Sequence, residues 1–266
     1  MAIRDVQARY DADADAYVTW WAPVLRRAMD TVLSAVDWAG VETALEVGCG
    51  TGGVLDGMAA LAPDALTVGV DATFGMLSYA PRAHVLLQGD VQRLPLQDST
   101  FDVAVTGFML QHVTRPDVAF SELARVVRPG GRLGIAAWGG EVTMWEGERI
   151  FTEELDAAGV PAPPPTLQPG RLATNTPDKL LGLAEAAGFH ATVTRTSLDW
   201  RPDAAEVFGQ LSHMRATGRR FALLTPGQAA AVAARVRERL DHAEISSWRP
   251  YPVLFLSGER VNLRHN

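Results

Sequence analysis

The stretch Ala44–Leu55, ALEVGCGTGGVL, decides the fold. Its apolar start reads as a buried strand, the glycines after it as a tight turn, and Val54-Leu55 as the entry to a helix. Gly48, Gly50 and Gly53 match the G-x-G-x-x-G spacing of a nucleotide-binding turn between strand and helix. Glu46, two residues before the first glycine, argues against the pyrophosphate such a turn usually holds. Two like charges at about 4 Å oppose each other by ~1 kcal/mol even in water, and by more when partly buried. A ligand with a cationic end reverses that sign.

Outward from this stretch, strand-like runs recur at 43–48, 66–71, 84–90, 101–109 and 131–139. Between them GVLDGMAALA, FGMLSYAPR and PDVAFSELARVV read as helices. The last has Pro116 in its first turn, apolar Phe120, Leu123, Ala124 and Val127, and Pro129-Gly130-Gly131 as a stop. Such alternation predicts a parallel sheet covered by helices on both faces. Beyond residue 140 the pattern loosens. It predicts a short helix around Met144–Ala158, a loop at PAPPPTLQPG, a helix from Thr176-Pro177-Asp178 to Gly188, and a strand near 190–200. A helix opened by Thr225-Pro226-Gly227-Gln228 runs to about His242, and YPVLFLSG at 251–258 is a final strand. The expected organisation is an N-terminal helical lid (1–39) on an α/β domain (40–266). Insertions at about 140–176 and 203–248 would cover the carboxyl edge of the sheet.

With 47% hydrophobic and 21% charged residues, the chain can bury a sizeable core. A net charge of −7 argues against a nucleic-acid partner, which calls for a basic face to replace phosphate counterions. Cys49 is the only cysteine, which excludes an internal disulfide and a CxxC metal site and points to a reducing compartment. No apolar run approaches the ~18 residues of a membrane span. The polar, acidic opening MAIRDVQARYDADADAY is unlike a signal peptide. The expectation is a cytoplasmic monomer or homodimer with no metal and no membrane partner.

Ligands of open α/β sheets collect at the carboxyl ends of the strands, near the switch in strand order. The groups placed there are Glu46, the loop Gly48–Gly53, Asp71, Asp90-Val91, and the run from Thr106 to His112. Asp71 can accept both hydroxyls of a ribose, and Asp90 can accept from an exocyclic amine. Asp102, in F-D-V, reads as a backbone holder at a strand start.

EVGCGTG, GVDAT, GDV, LPLQDSTFDV, LQHV and RVVRPGG follow one another in this order. Together they resemble the class I S-adenosylmethionine-dependent methyltransferases, and among these the small-molecule branch called methyltransferase family 11. The resemblance is strong over roughly 40–139 and general elsewhere. It implies a Rossmann-like, doubly wound sheet of seven strands, mostly parallel with an antiparallel last strand, and S-adenosyl-L-methionine as cofactor. Gly48, Cys49 and Gly50 would back its methionine part, with Glu46, Thr106 and Gln111 near the amino-acid end. Asp71 would take the ribose beside Ala72, Met76 would pack on adenine, and Asp90 would bind its amine beside Val91. Tyr17, with Tyr10, matches a position that closes over the cofactor. The implied reaction is in-line methyl transfer to an oxygen, nitrogen or carbon of a small-molecule acceptor.

Two departures from the family stand out. Many relatives carry a histidine where this chain has Gln111, so chemistry assigned to that histidine is absent. Gly53 adds flexibility of no evident benefit. Three readings remain open between function and structure. His112, with an ordinary pKa of about 6.5, is a candidate general base or a histidine that holds its turn by hydrogen bonds. Trp20, Trp21, Phe108, Trp138 and Trp145 line an acceptor pocket or serve ordinary packing. Arg215, Arg219 and Arg220 contact an anionic acceptor or form a solvated basic face. Rival functions are a non-methylating cyclisation or decarboxylation with the same cofactor, and a non-catalytic cofactor-binding partner subunit. A nicotinamide-dependent oxidoreductase is disfavoured by Glu46.

Overall fold

The computed structural model describes residues 3–140, 144–163, 168–198, 200–213, 215–243 and 251–261. Seven strands form one sheet: β1 (Thr43–Val47), β2 (Leu66–Asp71), β3 (Val85–Gln88), β4 (Phe101–Gly107), β5 (Val127–Trp138), β6 (Phe189–Leu198) and β7 (Tyr251–Arg260). Their order is β3-β2-β1-β4-β5-β7-β6, with β7 antiparallel to both neighbours and the first five parallel. This is the doubly wound, seven-stranded sheet that the resemblance implied. Strand order reverses between β1 and β4, so a crevice opens beyond their carboxyl ends.

Buried central strands explain the apolar runs. Leu45 and Val47 of β1 face one core with Ala104, Phe120, Leu123 and Leu180. Ala44, Val103 and Val105 face the other, under Met29, Val32, Leu55 and Met58. Side chains alternate across each strand, so every position of β1 beyond Thr43 is buried on one face or the other. Asp102 anchors the strand start as expected. Its carboxylate accepts from the backbone N–H groups of Glu42 (2.7 Å) and Thr43 (2.8 Å) and pairs with Arg128 (2.6 Å). Burial alone would raise its pKa, but these bonds outweigh burial and hold it below the usual value.

The helices depart from expectation in places. The N-terminal region breaks into α1 (Ile3–Trp20) and α2 (Ala22–Ala35), with Pro23 in the first turn of α2. α3 (Leu55–Leu61) starts after the whole glycine turn, and α4 (Phe74–Leu77) is a single turn. α5 (Pro116–Val126) ends before the Pro-Gly-Gly stop, yet β5 reaches back to Val127 across a register shift opposite Phe101–Val103. After α6 (Glu146–Ala157), a helix α7 (Pro169–Thr174) lies where only a loop was expected. It is followed by α8 (Pro177–Ala186), α9 (Ala204–His213), α10 (Arg215–Phe221) and α11 (Pro226–His242). Residues 164–167 of the expected PAPPPTLQPG loop lie outside the described residues.

Helices α6, α9 and α11 share a third core, Ile150, Phe151, Leu155, Val207, Leu211, Val236 and Leu240, with Phe221 of α10 packed against it. α1 buries only Val6 and Ala14, so polar contacts hold it. Gln7 donates to the Ala72 carbonyl (2.7 Å), and the Gly75 N–H donates to the Asp11 carboxylate (2.7 Å). Gln210 of α9 donates to the Trp20 carbonyl (2.8 Å). α1 is thereby fastened between the β2–α4 turn and α9.

Candidate active site

One cavity of about 850 Å³ runs from the glycine turn to helices α7 and α10. That volume lies in the upper part of the ~300–1,000 Å³ range of small-molecule sites. Its floor is the carboxyl edge of the sheet, its roof α1.

The turn after β1 explains why glycine is needed there. Gly48 has φ +72°, and a Cβ on it would meet Met109 at 2.6 Å. Gly50 has φ +53°, and a Cβ placed there would be in van der Waals contact with Met76 (3.5 Å) and Tyr17 (4.0 Å). The spacing assigned the third role to Gly53, but Gly53 has ordinary φ and nothing within 4 Å. The constrained residue is Gly52 (φ +72°), packed against Pro81 and Ala80. The fingerprint placed it one residue too far because the turn continues to Val54 before α3 begins.

Asp71, at the end of β2, accepts from the N–H of Gly50 (2.8 Å) and of Thr73 (2.8 Å). Burial raises its pKa, and these two N–H groups oppose the rise only in part. Asp71, Ala72 and Met76 line the cavity with Gly48 and Gly50, joined by Asp90, Val91, Gln111 and Tyr17. Asp90 also accepts from the Gln92 N–H (2.9 Å).

Three of the expected cofactor residues stand behind this wall instead of on it. Glu46 is buried on β1, one oxygen without a hydrogen-bond partner. Burial, and after it the charge of Asp71, pushes its pKa well above the usual carboxylate range. Thr106 is buried on β4 with its hydroxyl unpartnered. The Cys49 sulfur fills the space over Gly69, where a Cβ would approach it to 2.9 Å, and burial raises its pKa.

His112 closes a 3₁₀ turn, Leu110–His112. Its Nδ1 lies 3.3 Å from Arg9 Nη2 and its Nε2 lies 2.9 Å from the Tyr10 hydroxyl. A guanidinium only donates, so Nδ1 accepts and the ring is the neutral Nε2–H tautomer. The Gln111 side-chain nitrogen also lies 3.0 Å from Nε2, a donor facing a donor in this tautomer and so a neighbour of the ring rather than a hydrogen-bond partner. The Tyr10 ring stands edge-on at 5.3 Å. Burial, and secondarily the Arg9 charge, lowers the pKa to about 3. His112 lines the cavity and joins the β4 end to Arg9 and Tyr10 of α1.

Four of the five expected aromatics line the cavity: Trp21, Phe108, Trp138 and Trp145. Trp20 does not; it turns away to pack on Gly209 and stacks on His213 at 6.4 Å. Phe108 has φ +53°, uncommon for a bulky residue, and sits 4.3 Å from the Trp138 ring. Tyr251, at the start of β7, stands at 5.5 Å from Trp138 and 6.4 Å from Trp21. Arg219 and Arg220 also line the cavity, and the side chain of Arg215 lies outside the described residues. Tyr251, Arg9, Arg171 and Arg195 were missed. None carries a motif, and only the closed sheet brings them here.

The residues fit an adenosyl-methionine ligand. Gly48 and Gly50 line the cavity without side chains, Asp71 offers acceptors, and the buried Glu46, with one oxygen unpartnered, lies two residues before the turn.

The methyltransferase domain family matches residues 45–135. The demethylmenaquinone methyltransferase of Streptomyces griseus is 32% identical over 184 residues, covering 68% of this chain and 74% of that one. An uncharacterised 37.1 kDa protein in transposon TN4556 of Streptomyces fradiae is 41% identical over 110 residues, 38% of this chain. The match spans only 32% of that relative's length. Among solved structures, the [4+2]-cyclase SpnF superposes with a TM-score of 0.62 at 20% identity, over 98% of this chain and 97% of that one. The cyclase shares the fold. The Streptomyces griseus enzyme, alike over most of both chains, places this chain among the class I S-adenosylmethionine-dependent methyltransferases.

Proposed function

We propose that the protein methylates a small-molecule acceptor held in the aromatic part of the cavity. The observation that carries this reading is the continuity of one enclosure. The Gly48–Gly50 turn and Asp71 lie at one end, and Trp138, Trp145 and Tyr251 at the other. Bound S-adenosylmethionine supplies an electrophilic methyl group on a sulfonium. Gly48 and Gly50 let backbone approach it, Asp71 takes its ribose, and Met76, Asp90 and Val91 hold its adenine. A cationic ligand end beside Glu46 would favour its charged form and oppose the upward push of burial. Tyr10, Tyr17 and Arg9 on α1 cover the site and exclude water, with His112 holding that cover in place. The chain's part would be to position the acceptor against the cofactor's methyl group, a device worth several kcal/mol.

Calorimetric titration with S-adenosylmethionine, S-adenosylhomocysteine and NAD is the test. Micromolar binding of the two sulfur ligands and none of NAD is expected; binding of NAD alone would sink the reading. One rival is a reaction on the same cofactor that transfers no methyl. S-adenosylhomocysteine released in step with product separates the two.

A further inference from the structure

The hydrogen bonds between α1 and the β4 end run in one direction. One face of α1 lines the cavity, with Val6, Arg9, Tyr10, Asp13 and Tyr17 at helical spacing along it. Arg9 donates to Nδ1 of His112 (3.3 Å), which leaves the ring hydrogen on Nε2. Nε2 lies 2.9 Å from the Tyr10 hydroxyl and therefore donates to its oxygen. Tyr10 makes no other hydrogen bond among the described residues. A hydroxyl that only accepts still has its own hydrogen to give.

The charges around Tyr10 agree with that direction. Burial dominates and keeps the phenol above its usual pKa of 10.0, so the hydroxyl retains its hydrogen. The Arg9 charge comes next, ahead of those of Asp71 and Asp13. Neither carboxylate takes the hydrogen by a bond among the described residues. In a chain headed by a guanidinium each hydrogen bond polarises the next. The donor at its end gains most against a charged oxygen.

Sheet order says which ligand that oxygen belongs to. The cofactor residues lie on the turn after β1 and beyond the ends of β2 and β3. His112 follows β4, on the other side of β1, and holds the Tyr10 hydroxyl from there. The nature of the acceptor atom follows from its lone pairs. A neutral amine has one, and bonding it to Tyr10 would occupy the pair that must take the methyl group. The oxygen of an ionised phenol or enol has pairs to spare.

We infer that Tyr10 gives its hydroxyl hydrogen to an oxygen of the acceptor, and that the acceptor is a phenol or enol bound in its ionised form. This rests on the methyltransferase reading above. The acceptor's own proton leaves to solvent on binding, and Tyr10 keeps its hydrogen throughout. The test uses 4-nitrophenol, whose phenolate is visible by its absorbance, on protein saturated with S-adenosylhomocysteine. Titrated through neutral pH, the bound probe should be about ten-fold or more stronger as an acid on the native protein than on Y10F. That is a shift of about one pKa unit or more, the scale of a charged hydrogen bond. Arg9→Met, which removes the head of the chain, should lose part of the same shift. Y10F keeps the ring, and thermal melting checks the fold of both variants. A Tyr10 that only fastens α1 would lower the melting temperature of Y10F and leave the probe's titration where it was. An ionisation constant unchanged in either variant, or no binding of 4-nitrophenol, overturns the inference. So does a loss in Y10F confined to S-adenosylhomocysteine affinity, which would assign the hydrogen to the cofactor. If S-adenosylhomocysteine fails to bind the native protein, the methyltransferase reading falls instead, and the two failures are distinguishable.

Discussion

Asp71 does two jobs with one carboxylate. Its oxygens take the N–H groups of Gly50 and Thr73, locking the glycine turn to the end of β2, and they face the cavity where a ribose belongs. Asp71→Asn keeps the size but removes the charge and one acceptor, a loss on the scale of ~1.5–3 kcal/mol for a charged hydrogen bond. S-adenosylhomocysteine should then bind about ten-fold or more weakly by calorimetry; an unchanged constant would take Asp71 out of the site. His112 makes a pH-dependent contribution of the opposite kind. Its folded pKa, about 3, lies below the ordinary value of 6.5. The unfolded chain therefore binds a proton that the native one rejects, and stability falls as the pH drops from 6.5 toward 3. His112→Asn should flatten that part of the curve in denaturant melts taken across the window. Parallel curves for the two proteins would place the titration elsewhere.

Among the elements, α11 declares itself most fully. Thr225 accepts from the Gln228 N–H, and the Gln228 side chain accepts from the Thr225 N–H (3.1 Å), a complete capping box ahead of an amphipathic run. Thr225→Ala should cost about 1 kcal/mol, which in a protein of this size lowers the melting temperature by roughly 2–4 °C. A shift below 1 °C, about the scatter of an ordinary surface change, would show that the cap is redundant. α1 is the contrary case. Two buried residues in eighteen cannot hold a helix by apolar packing, so Gln7, Arg9, Tyr10 and Asp11 fasten it through polar groups.

On the scale of the whole molecule there are three cores, two flanking the sheet and one inside the cap of α6, α9 and α11. The cap core is as closed as the others: Leu155 is 0% exposed. Leu155→Ala should cost about 2–5 kcal/mol by denaturant melts. Leu61→Ala on α3, where the side chain is 46% exposed, should stay within about 0.5 kcal/mol. Comparable losses at the two positions would contradict a packed cap. Among the described residues, no helix is long and apolar enough to cross a membrane.

What the chain alone determined was local in origin. Strand, turn and helix from Ala44 to Leu55, the acids at the strand ends and the Thr225 cap each depend on residues a few positions apart, and each was legible. Two errors were local as well: Gly53 stood in for Gly52, and α7 was read as loop because Pro and Gly neighbours mask a short helix. The aromatic wall had no local motif: its tryptophans stood out one by one, and Tyr251 did not stand out. Trp21, Trp138 and Tyr251 are far apart in the chain and meet because β7 inserts beside β5, pairing Trp138 with Val253. How deeply Glu46 is buried, and which groups meet His112, are likewise decided by distant segments. Periodicity and turn chemistry act between near residues and survive in the sequence; enclosure, desolvation and convergence of charge act through space, and only the assembled sheet and cap create them.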